Sequence, residues 1–255
     1  MAEIEKTLAD LFTAERTART LHGDLLTLPP KDLVAALRAA TKEAVAVHDD
    51  DTAESSLRLA RIAVLLGDLE GDEVVDLLID ILGGPSPEAR GQAGESLEGL
   101  AFDRFKEVAL GIERALERLP KGSAALTELP FLLAEVAEPG CVKLLGRFLK
   151  HADGEAVAAA IEAIAELGDP SAIPLLAPLE KDPRQVQLDQ TEGGESERVS
   201  LGDLAYEARE ILEELAESMQ SQQGAPPKNK GGGGGGGGPP PNKNNARDPR
   251  GKKGR

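Results

Sequence analysis

The chain has 255 residues, 29 Lys and Arg against 45 Asp and Glu, a formal net charge of −16, and 2% aromatic residues with no Trp. Residues 224–255 hold eight basic residues and one acidic residue, so a body of −23 carries a tail of +7. Such a body repels a polyphosphate backbone over most of its surface, and so few rings offer little to stack against bases.

Breakers divide the body at short intervals, and the segments between them are rich in Ala, Leu, Glu and Val with a period of 3.6. That pattern predicts helices of 10–17 residues joined by short turns. Residues 3–21 form an amphipathic capping helix using Ile4, Leu8, Leu11 and Phe12. A less regular pair follows at 31–47 and 52–66. Four clearer helix–turn–helix units then read as 71–82 with 86–100, 103–118 with 122–137, 140–150 with 153–167, and 169–181 with 201–218. The centres of their first helices, Val75, Ala109, Val142 and Ile173, are spaced by 34, 33 and 31 residues. Pro120 and Pro130 fall near helix ends in the second unit. In the third, Val157, Ile161, Ile164 and Leu167 make one stripe that stops at Gly168, a residue free to adopt the left-handed conformation that closes a helix. Asp169 and Pro170 supply the next N-cap acceptor and a residue preset for the first helical position.

Each hairpin is too small to bury its own apolar faces. The units must therefore stack, with polar faces at the two ends, and the fold class is an all-α solenoid. Between the last two helices, Arg184-Gln185-Val186-Gln187-Leu188 and Glu197-Arg198-Val199-Ser200-Leu201 flank Gly193-Gly194. Their alternation supports either a β-hairpin or a solvated loop. Residues 220–255, with glycine from Gly231 to Gly238 and then Pro239 to Pro241, lack the apolar side chains to offset ordering entropy and are expected to be disordered.

The stretch Leu167-Gly168-Asp169-Pro170-Ser171-Ala172-Ile173-Pro174-Leu175-Leu176, preceded by Ala159-Ala160-Ile161-Glu162-Ala163-Ile164, resembles the HEAT repeat family in the short-repeat form shared with phycobilin lyases. Pro87-Glu88-Ala89-Arg90-Gly91-Gln92-Ala93-Gly94-Glu95-Ser96-Leu97 is similar to the second-helix consensus of that family. The resemblance covers roughly 50–215. It implies a scaffold with second (B) helices on the concave side and first (A) helices on the convex side, and leaves the partner open.

Little in the chain suggests chemistry. His22, His48 and His151 share no ligand spacing, and Asp49-Asp50-Asp51 lacks the later Gly and Glu of a calcium loop. Deoxyhypusine hydroxylase resembles this build but carries His-Glu pairs for a di-iron centre, and no His-Glu dipeptide occurs here. A phycobilin-lyase-like role would need more aromatic lining. The single cysteine, Cys141, excludes a disulfide framework and reads as a small buried core residue rather than a reactive thiol. The glycine run lacks the Gly-Lys-Ser/Thr ending of a phosphate loop. No catalytic residue, metal ligand or cofactor is assigned. An enzyme would have to use the insertion, through Asp189, Glu192 or Glu195. The start Met-Ala-Glu-Ile-Glu is unlike a signal peptide, and no apolar run approaches the roughly 18 residues of a membrane span, so a cytoplasmic setting is expected.

Charge is the remaining signal. The A helices of the four clear units total −2 and their B helices −13. Given the implied orientation, Glu88, Glu95, Glu128, Glu155, Glu162, Glu166, Glu210 and Glu214 fall on or near the inner face. The leading function is a non-catalytic adaptor that binds a basic segment of a partner protein there. The tail residues Lys228, Lys230, Lys243, Arg247, Arg250, Lys252, Lys253 and Arg255 could compete for that face. Alternatively they make the chain a nucleic-acid or ribosome-associated factor, in which the tail alone binds. The sequence does not fix an oligomeric state.

Overall fold

The computed structural model describes residues 1–188 and 197–223. Among these described residues, ten α-helices and one antiparallel strand pair run in the order α1 (Ala2–Leu26), α2 (Pro30–Ala46), α3 (Thr52–Gly67), α4 (Asp72–Leu82), α5 (Pro87–Arg118), α6 (Ala124–Val136), α7 (Cys141–Phe148), α8 (Gly154–Leu167), α9 (Ile173–Leu176), β1 (Gln185–Leu188), β2 (Glu197–Ser200) and α10 (Leu201–Gln223). The core is a continuous band of Leu, Ile, Val and Ala from Leu33 to Leu212, with Phe148 fully buried. Two rows enclose it. Helices α3, α6, α8, α10 and the first limb of α5 stack on one side as the B row, and α2, α4, the second limb of α5, α7 and α9 form the A row.

Local chemistry explains most boundaries. The Asp51 carboxylate accepts from the Glu54 amide at 3.0 Å and starts α3, and Ser86 Oγ accepts from the Ala89 amide at 3.2 Å ahead of Pro87. Asp153 caps α8 by accepting from the Glu155 amide at 3.1 Å, and the same side chain takes the Gly122 amide at 2.7 Å, tying one repeat to the turn of the one before. Gly168 ends α8 at φ 65 and ψ 21, the left-handed conformation anticipated from its place in the sequence, and Asp169 then accepts from the Ser171 amide at 2.8 Å.

The structure departs from the sequence reading in α6, in residues 169–181 and in α1. The expected helices 86–100 and 103–118 are present as two limbs of α5, which meet without a loop at a kink at Arg104, where φ is −141 and ψ 49. The bend is held from outside: Arg104 Nη2 donates to the Leu69 carbonyl at 2.8 Å, and the Gly71 amide donates to Glu107 at 2.7 Å. Pro130 lies inside α6, not near its end, and α6 closes at Ala137 with φ 52. Residues 169–181 do not form one A helix. A 3₁₀ turn at Pro170–Ala172, the single α turn of α9 and a second 3₁₀ turn at Ala177–Leu179 replace it, because Pro174 and Pro178 remove backbone donors and their rings crowd the preceding turn. Finally, α1 extends to Leu26 but buries none of its residues, and Ile4, Leu8, Leu11 and Phe12 are exposed.

The insertion is a hairpin. Strands β1 and β2 pair antiparallel with Gln185 opposite Ser200 and Val186 opposite Val199. Period-2 alternation places Val186 in the core, 3% exposed. At its root, Arg184 grips the Asp182 carboxylate at 2.7 Å and donates to the His151 carbonyl at 3.1 Å. Residues 220–223, expected to be disordered, continue α10 as its last turn. The rest of the expected disordered tail, 224–255, and Asp189, Glu192 and Glu195 in the insertion lie outside the described residues.

Candidate functional site: the carboxylate-rich B row

The arginines of the A row are consumed in ion pairs between successive repeats. Arg38 of α2 pairs with Glu73 of α4. Arg114 of α5 donates from Nε to both carboxylate oxygens of Asp76 at 3.1 and 3.2 Å, and from Nη2 to the Asp72 carbonyl at 3.1 Å. Arg118 pairs with Asp80 and donates to the Asp76 carbonyl at 3.0 Å. Arg147 of α7 reaches back to Glu113 at 2.5 Å and Glu117 at 3.5 Å. The four acidic residues of α4 and two of those on α5 are thus neutralised by a ladder that runs along the stack. Its exposed pairs hold register more than they add stability.

The B row is different. Glu88 and Glu95 sit on the first limb of α5, Glu155, Glu162 and Glu166 on α8, and Glu210 and Glu214 on α10, all exposed. Among the described residues, Glu88, Glu155, Glu162, Glu166 and Glu214 have no ion-pair partner. Glu95 accepts from Gln92 Nε2 at 3.1 Å, and Glu210 from the Tyr206 hydroxyl at 2.6 Å, a bond that raises the Tyr206 pKa. Desolvation, with a smaller contribution from the Glu155 carboxylate nearby, raises the pKa of Glu162.

Glu128 departs from the prediction. It is half-buried and receives Arg90 Nε at 3.1 Å across the α5–α6 interface, so its charge is largely spent inside the stack. Two carboxylates that sequence reasoning missed stand beside it. Glu98 and Glu135 rim a cleft of about 240 Å³ between α5 and α6, with Leu82, Gly94 and Leu132 among its walls and half-exposed Phe131 at its mouth. The signal was weak: Glu98 follows Glu95 by three and Glu135 follows Glu128 by seven, but which helix faces which is a tertiary fact. A wider depression of about 670 Å³ lies between α3 and α5 and carries Asp68, Glu70, Glu95 and Asp103 with Arg104.

The other candidates separate. His22 Nε2 lies 2.7 Å from Asp68, and His151 Nδ1 accepts from the Asp153 amide at 3.2 Å. Asp51 is occupied as a helix cap. Among the described residues, no group of three His, Cys, Asp or Glu side chains is placed to hold a metal ion. Cys141 is fully buried and burial raises its thiol pKa, the opposite of an activated nucleophile. Among the described residues no helix is long and apolar enough to cross a membrane.

With two helix rows, a continuous core and inter-repeat pairs on the page, the sequence comparison is decisive for residues 123–190, which match the family model for HEAT repeats. Residues 123–190 are a HEAT repeat segment. The HEAT match spans α6 to β1, where the Asp153 cap and the Gly168 stop sit. No curated protein matches the chain. Among solved structures, the chain is similar to an engineered protein from a structural genomics consortium, 20% identical over 78% of this chain and 90% of that one, TM-score 0.30. It is similar to a designed armadillo repeat protein, 16% identical over 76% and 98%, TM-score 0.31. Human deoxyhypusine hydroxylase in complex with glycerol is 14% identical over 82% and 99%, TM-score 0.30. The all-α solenoid assignment rests on the two helix rows and the HEAT match itself.

Proposed function

We propose that this chain is a non-catalytic adaptor whose B row binds a basic segment of a partner protein. The observation that carries the reading is the unequal use of charge. Arg38, Arg114, Arg118 and Arg147 neutralise the A row from within, whereas Glu88, Glu155, Glu162, Glu166 and Glu214 of the B row are left to solvent. Repeat stacks offer extended surfaces for protein partners, and an electrostatic pattern of one sign selects a partner of the other. Glu98, Glu135 and Phe131 extend the row with a cleft that accepts an apolar side chain between basic ones. The basic tail, residues 224–255, would compete for the same row and weaken outside binding at low salt.

The test is affinity capture with intact chain, chain lacking 224–255, and Glu155→Lys/Glu162→Lys/Glu166→Lys, each at two salt concentrations. Partner recovery should fall with charge reversal and with salt, and rise on tail removal at low salt. Recovery indifferent to the charge reversal rejects the acidic row. Recovery indifferent to the tail rejects competition alone.

A further inference from the structure

We propose that the free part of α1 pairs antiparallel with the same helix of a second copy, about a two-fold axis at Leu11. At 3.6 residues per turn, Ile4, Leu8, Leu11, Glu15, Ala18, His22 and Leu25 form one stripe with alternating steps of four and three. The C-terminal end of that stripe rests on the body: Leu25 packs against the core, His22 meets Asp68 at 2.7 Å, and Ala18 lines a cleft with Ala40, Leu57 and Ile62. Its N-terminal end runs on past the body, with no residue buried among the described residues. There Ile4 is 62% exposed, Leu8 45%, Leu11 60% and Phe12 57%. One continuous seam is therefore half used, and apolar side chains gathered on one face mark a contact surface.

Charge points to a second copy as the occupant. In residues 1–12 the side chains of Glu3, Glu5, Lys6 and Asp10 sum to −2, and in 13–23 those of Glu15, Arg16 and Arg19 sum to +1. Antiparallel pairing sets the acidic end of each helix against the basic stretch of the other, and parallel pairing sets like against like. Glu5 lies on the same flank of the seam as Arg16 and Arg19, and antiparallel helices bring like flanks together. The receiving surface is also present. The cleft at Ala18 measures about 470 Å³, Leu57 within it is 61% exposed, and its rim carries Arg58 and Arg61, of which Arg61 has no ion-pair partner among the described residues. Seating Ile4 over Ala18 of the other copy fills this cleft and fixes the axis at Leu11. The contact is isologous and closes after two copies.

Light scattering on the eluting full chain, from about 1 to about 100 µM, measures the assembly. A dimer is expected at the upper end, and Leu8→Asp/Leu11→Asp, at positions that carry no core contact, should give the monomer mass with helix content unchanged by circular dichroism. Wild type that stays monomeric at about 100 µM overturns the proposal, as does a dimeric double variant. Glu5→Arg should weaken self-association about tenfold through two symmetry-related pairs, and adding Arg19→Glu should restore it. Under mild oxidation Leu11→Cys should form an intermolecular disulfide while Ile4→Cys does not, with buried Cys141 a bystander. Efficient cross-linking through Ile4→Cys indicates parallel packing and overturns the antiparallel arrangement.

Discussion

Arg114 gives the sharpest measure of what joins one repeat to the next. Its guanidinium spans from α5 to α4, taking both oxygens of Asp76 and the Asp72 carbonyl at 3.1 to 3.2 Å. The side chains of Arg114 and Asp76 are 35% and 29% exposed, so water screens the ion pair and its share is about 0.2–1 kcal/mol. The bond to the Asp72 carbonyl adds about 0.5–1.5 kcal/mol. Truncation also leaves Asp72, Asp76 and Asp80 facing one another with less counter-charge. Arg114→Ala should therefore cost about 1–2 kcal/mol in urea unfolding, and the double-mutant cycle with Asp76→Ala should return a coupling of about 0.5–1 kcal/mol. Because the pair is partly exposed, the coupling should shrink as salt is raised. A coupling below about 0.2 kcal/mol at low salt would show that packing alone sets the repeat register, and the ladder would lose its structural role.

Three further outcomes follow from named groups. Burial raises the folded pKa of Glu162 above the ordinary carboxylate value, so its contribution to stability is present below that value and is lost as pH rises through the folded pKa. Glu162→Gln should accordingly raise the melting temperature at neutral pH and have no effect near pH 4; a lower neutral melting temperature refutes the assignment. The Arg184 hydrogen bond lowers the folded pKa of Asp182 below the ordinary carboxylate value, so that stabilisation is present above the ordinary value and disappears as pH falls through the folded one. Asp182→Asn should cost about 1 kcal/mol at neutral pH and flatten the acid limb of the stability profile, as read by chemical denaturation at several pH values. A Cβ on Gly111 would fall 2.3 Å from Val75 Cγ1, where α4 and α5 approach most closely. Gly111→Ala should thus destabilise by about 1–3 kcal/mol despite its better helix propensity, and a stabilised variant would mean the two helices can separate without loss.

Periodicity, caps and breakers act over a few residues, and this made most elements legible. Asp51, Gly168, Asp169 and the Val186 alternation each determine their own turn or strand from local backbone chemistry, and the acidic bias of the B helices is a property of composition. Departures arose where a distant group decided the outcome. The sequence separates 86–100 from 103–118, but the contacts that fix the kink at Arg104, with the Leu69 carbonyl and the Gly71 amide, come from 35 and 36 residues away. The spacing of Ile4, Leu8, Leu11 and Phe12 revealed a seam without revealing that the body ends before it does.

The sequence by itself determined that helices form, roughly where they stop, that they stack as an all-α solenoid, and that negative charge concentrates on the B set. The tertiary structure alone decided which carboxylates remain free. Arg90 removes Glu128 from the exposed row and the A-row arginines neutralise α4, while Glu98 and Glu135 join a cleft around Phe131. The physical reason is reach. A cap or a helical period is fixed within about four residues, whereas these ion pairs join side chains some 35 to 38 positions apart, and their register appears only when repeat packs on repeat.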